Sequence, residues 1–318
     1  MISIVILFKG DHKEASILIN LLRQISENKT KVPYEVVIVD SSGRLNSNET
    51  LMREHVKIIH SDAKVGAARN IGVRESKGDI ILFLDSDCSI PSGFINQIYD
   101  LIMCVEKNVG AIGGPVECVH TTSLIQKYLD YSIFTPFPRY QGDYTSNWRT
   151  FHKYHHPNTC NLAVKRHIFE DIGGFWEGEG EDVFFLLKMT KKGYEIKYFS
   201  QLKVYHHHPR KLRKLMQKYF RMGVSAAKLL LVFPDSPLMR QRLIRFLVIF
   251  LPALLILPFH PLLAFILPYG LLYTIYLKRT RSLRASLVYP LLDIILQILY
   301  ATGFIFSFIK EITRGMIK

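Results

Sequence analysis

The sequence predicts an α/β domain, a mostly parallel sheet with flanking helices, followed by an α-helical membrane region. Short apolar runs of strand length alternate with stretches of helical period through the first two hundred residues, the pattern of a parallel sheet built from βα units. Residues 80–84, Ile-Ile-Leu-Phe-Leu, form a run with no polar interruption, which suits a strand buried on both faces. Beyond residue 210 the chain turns to long apolar blocks flanked by basic residues.

A chain of 318 residues with 48% hydrophobic content holds one large domain and an apolar appendage. Its formal net charge of +14 suggests a nucleic-acid binder, but the distribution argues against that class. Residues 1–202 hold 23 basic against 24 acidic side chains, whereas residues 203–318 hold 18 against 3. The excess coincides with the apolar blocks, so the expected partners are anionic membrane lipids and no nucleic acid. Cys88, Cys104, Cys118 and Cys160 form no C-x-x-C pair and show no metal-ligand spacing with histidine. They read as reduced thiols of a cytosolic compartment, mostly packing residues.

Residues 2–8 are predicted as the first strand, an apolar run too brief for a secretory segment. Residues 15–25 put Ile17, Leu18, Leu21, Leu22 and Ile25 on one helical face and complete a βα unit. A second strand, 34–39, follows Pro33 and ends in Asp40, with Ser41, Ser42 and Gly43 as turn residues. A third, 56–59, leads to Gly66-Ala-Ala-Arg69-Asn70-Ile-Gly72, small residues opening a helix that stops at Gly78 before the 80–84 strand. Pro91 and Phe94 start another helix, and residues 111–119 resume strand character. Residues 121–157 are aromatic and polar with weak periodicity, and read as an acceptor-binding loop or a plain insertion. Residues 161–164 return to strand and 165–172 to a short helix ending at Gly173-Gly174. Glu181 and Asp182 open an apolar-periodic helix, where the helix dipole favours carboxylates. Extended segments at 195–199 and 202–205 close the domain before His206-His207-His208.

Asp85 and Asp87 emerge where the 80–84 strand ends. Residues i and i+2 of an extended chain point the same way, so both carboxylates can converge just beyond the C-terminal edge of the sheet, where open α/β sheets bind ligands. Two such carboxylates repel unless a cation lies between them, and an all-oxygen pair favours Mg²⁺ or Mn²⁺. A surface turn capped by Asp and Ser is the competing account.

Residues 210–242 form a basic amphipathic segment, with Arg213, Lys214, Lys218, Arg221 and Lys228 around Leu212, Leu215, Tyr219 and Phe220, of the kind that lies along a membrane surface. Residues 246–277 carry no charge and are broken by Pro252, Pro258, Pro261 and Pro268, which points to a helical hairpin or a re-entrant pair turning near residues 258–261. Residues 286–309 are long enough to span once, and Asp293 among them must face protein or water. A hairpin returns the basic loop of Lys278, Arg279, Arg281 and Arg284 to the cytoplasm. The expectation is a multi-pass membrane protein with a cytoplasmic first domain, divided at residues 1–209, 210–242 and 243–318.

The run K-V-G-A-A-R-N-I-G-V-R-E-S-K-G-D-I-I-L-F-L-D-S-D-C, Lys64 to Cys88, resembles the signature of glycosyltransferase family 2. Further matches follow in the family's order over about the first 210 residues: V-I-V-D ending at Asp40, N-L-A-V-K-R-H-I-F-E-D-I-G-G-F from Asn161 to Phe175, Glu181-Asp182, and K-K-G-Y-E-I-K-Y with the later His206. The resemblance implies a GT-A fold, Rossmann-like, and inverting, metal-dependent transfer of one sugar from a UDP-, GDP- or dTDP-sugar to a hydroxyl of a lipid-linked or cell-surface glycan. By it, Asp40 contacts the nucleotide base and Asp85 the ribose region, with Arg69 and Glu181 as further donor-site residues. Asp87 holds the divalent metal, Mn²⁺ or Mg²⁺, with His206 as a second ligand, and Asp182 is the general base.

The chemistry agrees with those roles. Charge developing on a departing diphosphate needs a cation, and a sugar hydroxyl near neutral pH needs a carboxylate to take its proton. Asp182 at a helix N-terminus is expected to be ionised for that purpose. The Q-x-x-R-W motif of processive synthases is absent, residues 217–222 being a loose echo, so single transfer is expected. A polyprenyl-phosphate acceptor, already anionic and needing no base, is the alternative, and a catalytically silent membrane scaffold is a third reading. The Glu181-Asp182 pair favours the hydroxyl acceptor, and the intact Asp85, Asp87 and Asp182 argue against the scaffold. His207 and His208 read as a solvated loop, and Arg221 as a lipid-facing or solvated charge.

Overall fold

The computed structural model describes residues 1–10, 12–45, 55–119, 123–135, 142–153, 156–178, 180–207 and 211–315. His208, the start of the basic segment at residue 210 and parts of the 121–157 stretch lie outside the described residues. Two units emerge, residues 1–120 with 137–207, and residues 121–136 with 208–318.

The first unit begins as the periodicity requires, with β1 (Ile2–Phe8), α1 (His12–Glu27), β2 (Tyr34–Asp40) and β3 (Val56–His60). Leu18, Leu21, Leu22 and Ile25 of α1 are buried. Next come α2 (Val65–Arg74), β4 (Ile80–Asp85), β5 (Cys88–Ser89), α3 (Phe94–Cys104), β6 (Val109–Gly113) and β7 (Val116–Cys118). Helix α2 stops at Arg74, short of Gly78; Glu75 N and Ser76 N donate to Ile71 O and Val73 O, and Arg166 bridges onward, donating to Val73 O at 3.1 Å and to Gly78 O at 2.5 Å. The strand expected over 111–119 is two strands, since Pro115 has no N–H to continue a ladder. After α4 (Leu124–Tyr131), which belongs to the second unit, the first resumes with β8 (Tyr144–Ser146), β9 (Leu162–Lys165), α5 (Arg166–Ile172), α6 (Glu181–Lys191), β10 (Glu195–Tyr198) and β11 (Val204–His206).

An eight-stranded sheet runs β3-β2-β1-β4-β9-β6-β10-β8, and a small one runs β5-β11-β7. Strands β1, β2, β3 and β4 are mutually parallel, and β9 is antiparallel to both β4 and β6. All five apolar residues of β4, Ile80 to Leu84, are buried. At roughly 1.5–3 kcal/mol per fully buried large apolar side chain, they fix the register of the sheet's middle. Phe8 pairs with Asp40 and Leu7 with Asp85, so both acids end parallel strands at one edge, separated by β1 and hence by about 10 Å.

The second unit holds α4, α7 (Leu212–Val232), α8 (Pro237–Ile256), α9 (Pro261–Thr280) and α10 (Leu283–Thr313). Helix α4 lies in the stretch read as aperiodic. Its start is a capping box, in which Ser123 Oγ accepts from Gln126 N and Gln126 Oε1 accepts from Ser123 N. The charge-free block divides into α8 and α9, with the turn at residues 257–260, where the prolines place it. Among the described residues, α9 and α10 are long and apolar enough to cross a membrane. Helices α7 and α10 touch backbone to backbone, since a Cβ on Gly223 would come within 2.0 Å of Tyr300 O. Asp293 of α10 is fully buried, as the cost of a bare charge there demands. Its Oδ1 accepts from Tyr128 Oη at 2.5 Å and Ser132 Oγ at 3.2 Å, and its Oδ2 from Tyr276 Oη at 2.5 Å.

Candidate active site

Helix α2 organises the site. A Cβ on Gly66 would fall 1.8 Å from Trp176 O, so only glycine lets the loop after α5 cross the start of the helix. Asn70 then clamps that loop: its Nδ2 donates to Phe175 O at 2.8 Å, and its Oδ1 accepts from Phe175 N at 2.8 Å. Arg69, one residue earlier, is buried and bridges two carboxylates. It donates from Nη2 to Asp85 Oδ1 at 3.0 Å and from Nη1 to Glu181 Oε1, with its guanidinium 5.9 Å from the Phe175 ring. Burial opposes its charge, but Glu181 and Asp85 outweigh that and keep it protonated. Burial pushes the Glu181 carboxyl up to about 7, with Arg69 opposing and Asp182 adding to the rise.

The D-S-D stretch is built from β4, the turn after it and β5. Strand β11 pairs antiparallel with β5, with His206 opposite Cys88, and this pairing carries a histidine from far along the chain to the two acids. Nε2 of His206 lies 3.1 Å from Asp87 Oδ1 and 3.9 Å from Asp85 Oδ2, while His207 N donates to Asp87 O at 3.0 Å. Partial removal from water works against the charge of Asp87, yet His206 holds the carboxyl below its usual range. Burial likewise works against a charged His206, and Asp87 holds it well above the usual imidazole range. The strand ends at Asp85 and Asp87 sits in the turn that follows, so an extended i, i+2 alignment does not apply; each acid instead lies near His206.

The same structure corrects the reading of Cys160. No local spacing links it to a histidine, but it lies just before β9, whose pairing with β4 brings it to the end of that strand. Its Sγ donates to Asp85 Oδ2 at 2.8 Å, and Asp85, Cys160 and His206 offer ligand atoms all within 4.8 Å of one another. The hydrogen bond with Cys88, burial and Asp85 raise the Cys160 thiol well above its ordinary range.

Asp40 is engaged with its own turn. Oδ1 accepts from Ser42 N at 2.7 Å and Ser42 Oγ at 2.6 Å, and Oδ2 from Leu45 N at 3.0 Å, with His60 Nδ1 at 3.2 Å from Oδ2. Burial works against its charge, but these bonds leave its pKa below the ordinary carboxylate value. Asp182 stands beside Glu181 in the first turn of α6, its Oδ1 accepting from Val183 N at 2.7 Å. A cavity of 690 Å³ opens at the other edge of the sheet, lined by Met1, Lys31, Pro33, Tyr34, Lys57 and Lys77 among others. It lies at the N-terminal ends of β1 to β3, away from the carboxylates, and Glu35 in it is engaged with Ser3 and Lys77. Open α/β sheets bind ligands beyond the carboxyl ends of their strands, which here is the carboxylate edge.

The donor set fits a small divalent cation. Two ligands at about 2.1 Å from an octahedral ion and at right angles to one another lie about 3 Å apart, and Asp87 Oδ1 and His206 Nε2 have that separation.

Comparison with known proteins agrees with the fold. The chain is 27% identical over 209 residues to Glycosyltransferase AglE of Haloferax volcanii, and 26% identical over 208 residues to the O-antigen chain rhamnosyltransferase WbaN of Salmonella anatum. Each match covers 62% of this chain and 64% of the relative, so the chain spans under two thirds of the length of these curated relatives. Among solved structures, the mannosyltransferase PcManGT of Pyrobaculum calidifontis, in complex with GDP-Man and Mn²⁺, superposes with a TM-score of 0.60 at 15% identity, covering 96% of this chain and 86% of that one. Staphylococcal TarS (S. aureus, residues 1–349) in complex with UDP-GlcNAc gives 0.52 at 15% identity, covering 99% and 92%. At such identity these two carry the GT-A fold alone. The family model described as glycosyl transferase family 2 matches residues 3–173, more than half of the sequence, and the chain belongs to that family.

Proposed function

We propose that this protein transfers a single sugar, with inversion, from a nucleotide-sugar donor to a hydroxyl of a lipid-linked or cell-surface glycan at a membrane. The observation that carries the reading is the meeting of Asp85, Asp87 and His206 beyond the end of β4, with Arg69 tying Asp85 to the start of α6. The nucleotide sugars and Mn²⁺ named for the solved relatives support a donor and a divalent metal of those kinds. Asp87 and His206 would hold the cation. When bound, it supplies positive charge to the diphosphate leaving group.

The chain's own residues do the rest. Arg69 ties Asp85 at the end of β4 to Glu181 at the start of α6, so one buried guanidinium sets the distance between these two donor-site carboxylates. Asp182 is the base. The acceptor oxygen bonds to the anomeric carbon as the carbon–diphosphate bond breaks, and the hydroxyl proton passes to Asp182. Glu181 is committed to Arg69, which leaves the base role to its neighbour. Asp40, beyond β1 on the same edge, is the residue assigned to the nucleotide base.

Membrane attachment rests on α9 and α10 together with α7, whose Arg213, Gln217 and Arg221 line a groove of 550 Å³ with Met216, Phe220 and Leu299. Basic heads over an apolar floor suit the anionic surface of a bilayer. The first domain would then lie on the cytoplasmic side. The deciding experiment screens UDP-, GDP- and dTDP-sugars for nucleotide release with and without Mn²⁺ in detergent-solubilised protein. Release from one donor class, dependent on the metal, is the expected result; no release from any would overturn the reading.

A further inference from the structure

Three donors of different chemical kind meet at the end of β4: the Asp85 carboxylate, the Cys160 thiol and the His206 imidazole. A cysteine that merely packs needs no polar partner, yet this one points at Asp85 Oδ2 at 2.8 Å, and the same oxygen is 3.9 Å from His206 Nε2. The pair Asp87 and His206 is an oxygen and nitrogen set suited to a hard cation. The set Asp85, Cys160 and His206 contains sulfur and nitrogen, and thiolate with imidazole selects Zn²⁺.

We propose that Zn²⁺ binds this enzyme through Asp85, Cys160 and His206, in a second mode that excludes the first and inhibits transfer. The inhibitory part rests on the donor-site reading above; the binding part rests on the three side chains alone. His206 is common to both sets, so one ion bars the other. Asp85 faces this set with Oδ2, while its Oδ1 stays on Arg69. On binding, the thiol proton of Cys160 and the second ring proton of His206 leave to solvent, and sulfur–metal and nitrogen–metal bonds take their places, with no change of oxidation state. Three protein ligands leave the fourth tetrahedral position to water or to a phosphate oxygen.

The test uses the full chain in detergent, stripped of metal and without donor, titrated with Co²⁺ as the spectroscopic stand-in for Zn²⁺. A thiolate-to-cobalt charge-transfer band in the near ultraviolet is expected, displaced by Zn²⁺ at one equivalent. Cys160→Ser and His206→Ala should lose the band, Cys88→Ser should keep it, and Zn²⁺ affinity measured by calorimetry should weaken at least about tenfold in Cys160→Ser. No band in the parent, or a band that survives Cys160→Ser, overturns the proposal. X-ray absorption of the Zn²⁺-loaded parent gives a reading that needs no variant: one sulfur at about 2.3 Å is expected, and a shell of nitrogen and oxygen alone overturns it. Mn²⁺-dependent donor binding, measured separately on the parent, reports on the donor-site reading, so the two fail independently.

Discussion

Arg69 donates from Nη2 to Asp85 Oδ1 at 3.0 Å, and the same guanidinium grips Glu181 more than a hundred residues later. One cation thus joins the end of a strand to the start of a helix. Arg69→Met removes it and leaves two carboxylates facing each other in a partly buried site. Loss of one partner of such a pair should destabilise by about 3–5 kcal/mol, read as a lowered midpoint of thermal unfolding in detergent. Arg69→Lys keeps the charge but not the two-armed grip, and should restore part of the stability while transfer stays at least about tenfold reduced.

Glu181 gives the fold a pH signature. Burial raises its carboxyl from 4.5 to about 7, so the folded state prefers the neutral acid. The stability it contributes is therefore fully present below about pH 4.5 and is lost as pH rises through about 7. Glu181→Gln is neutral throughout. The stability difference between parent and variant, followed by urea unfolding, should shift against the parent by as much as about 3 kcal/mol across that window; a difference independent of pH would show that the Glu181 carboxyl titrates alike in the folded and unfolded chain.

Removal of the base should separate binding from chemistry. Asp182→Asn is expected to bind the nucleotide sugar as the parent does and to transfer about 10²- to 10⁴-fold more slowly, measured by calorimetry and by nucleotide release with acceptor present. Turnover near that of the parent would instead assign a phosphate acceptor, which needs no base.

Asp87→Ala and His206→Ala each remove one of two groups 3.1 Å apart. Both should abolish Mn²⁺-dependent nucleotide binding while leaving the far-ultraviolet circular dichroism of the fold in place. Unchanged Mn²⁺ affinity in either would remove that residue from the site.

Asp293 accepts from three hydroxyls at once. Asp293→Leu leaves Tyr128, Ser132 and Tyr276 without their acceptor, at about 1–3 kcal/mol for each buried group left unsatisfied. Thermal unfolding in detergent should show a large loss for Asp293→Leu and a smaller one for Asp293→Asn, which keeps one acceptor oxygen.

Much of the first unit is legible because its signals are local. The uninterrupted run 80–84 makes a two-sided buried strand, and β1, β2, β3 and α6 follow from period and punctuation. Asp85 and Asp87 were visible for the same reason. What lies between them was visible only through resemblance, since the β5–β11 pairing that brings His206 to the acids spans 118 residues and has no local trace. Cys160 leaves no trace as a site residue in the spacing of cysteines along the chain. The relevant spacing runs across the sheet, from the start of β9 to the end of β4. Helix α4 was legible and missed: S-x-x-Q at Ser123 and Gln126 is the sequence form of the capping box, and the aromatic residues around it obscured the period.

The bond between Tyr128 and Asp293 sets an order of events. Tyr128 leaves the ribosome 165 residues ahead of its partner, an interval of roughly 8–33 s at about 5–20 residues per second. Throughout it, the Tyr128 hydroxyl lacks its carboxylate acceptor, and the helix waits as an uncovered amphipathic segment. Translation through residue 293 ends the wait, so a newly made chain interrupted earlier would offer α4 to proteases and chaperones after the strands of the first unit have all been made.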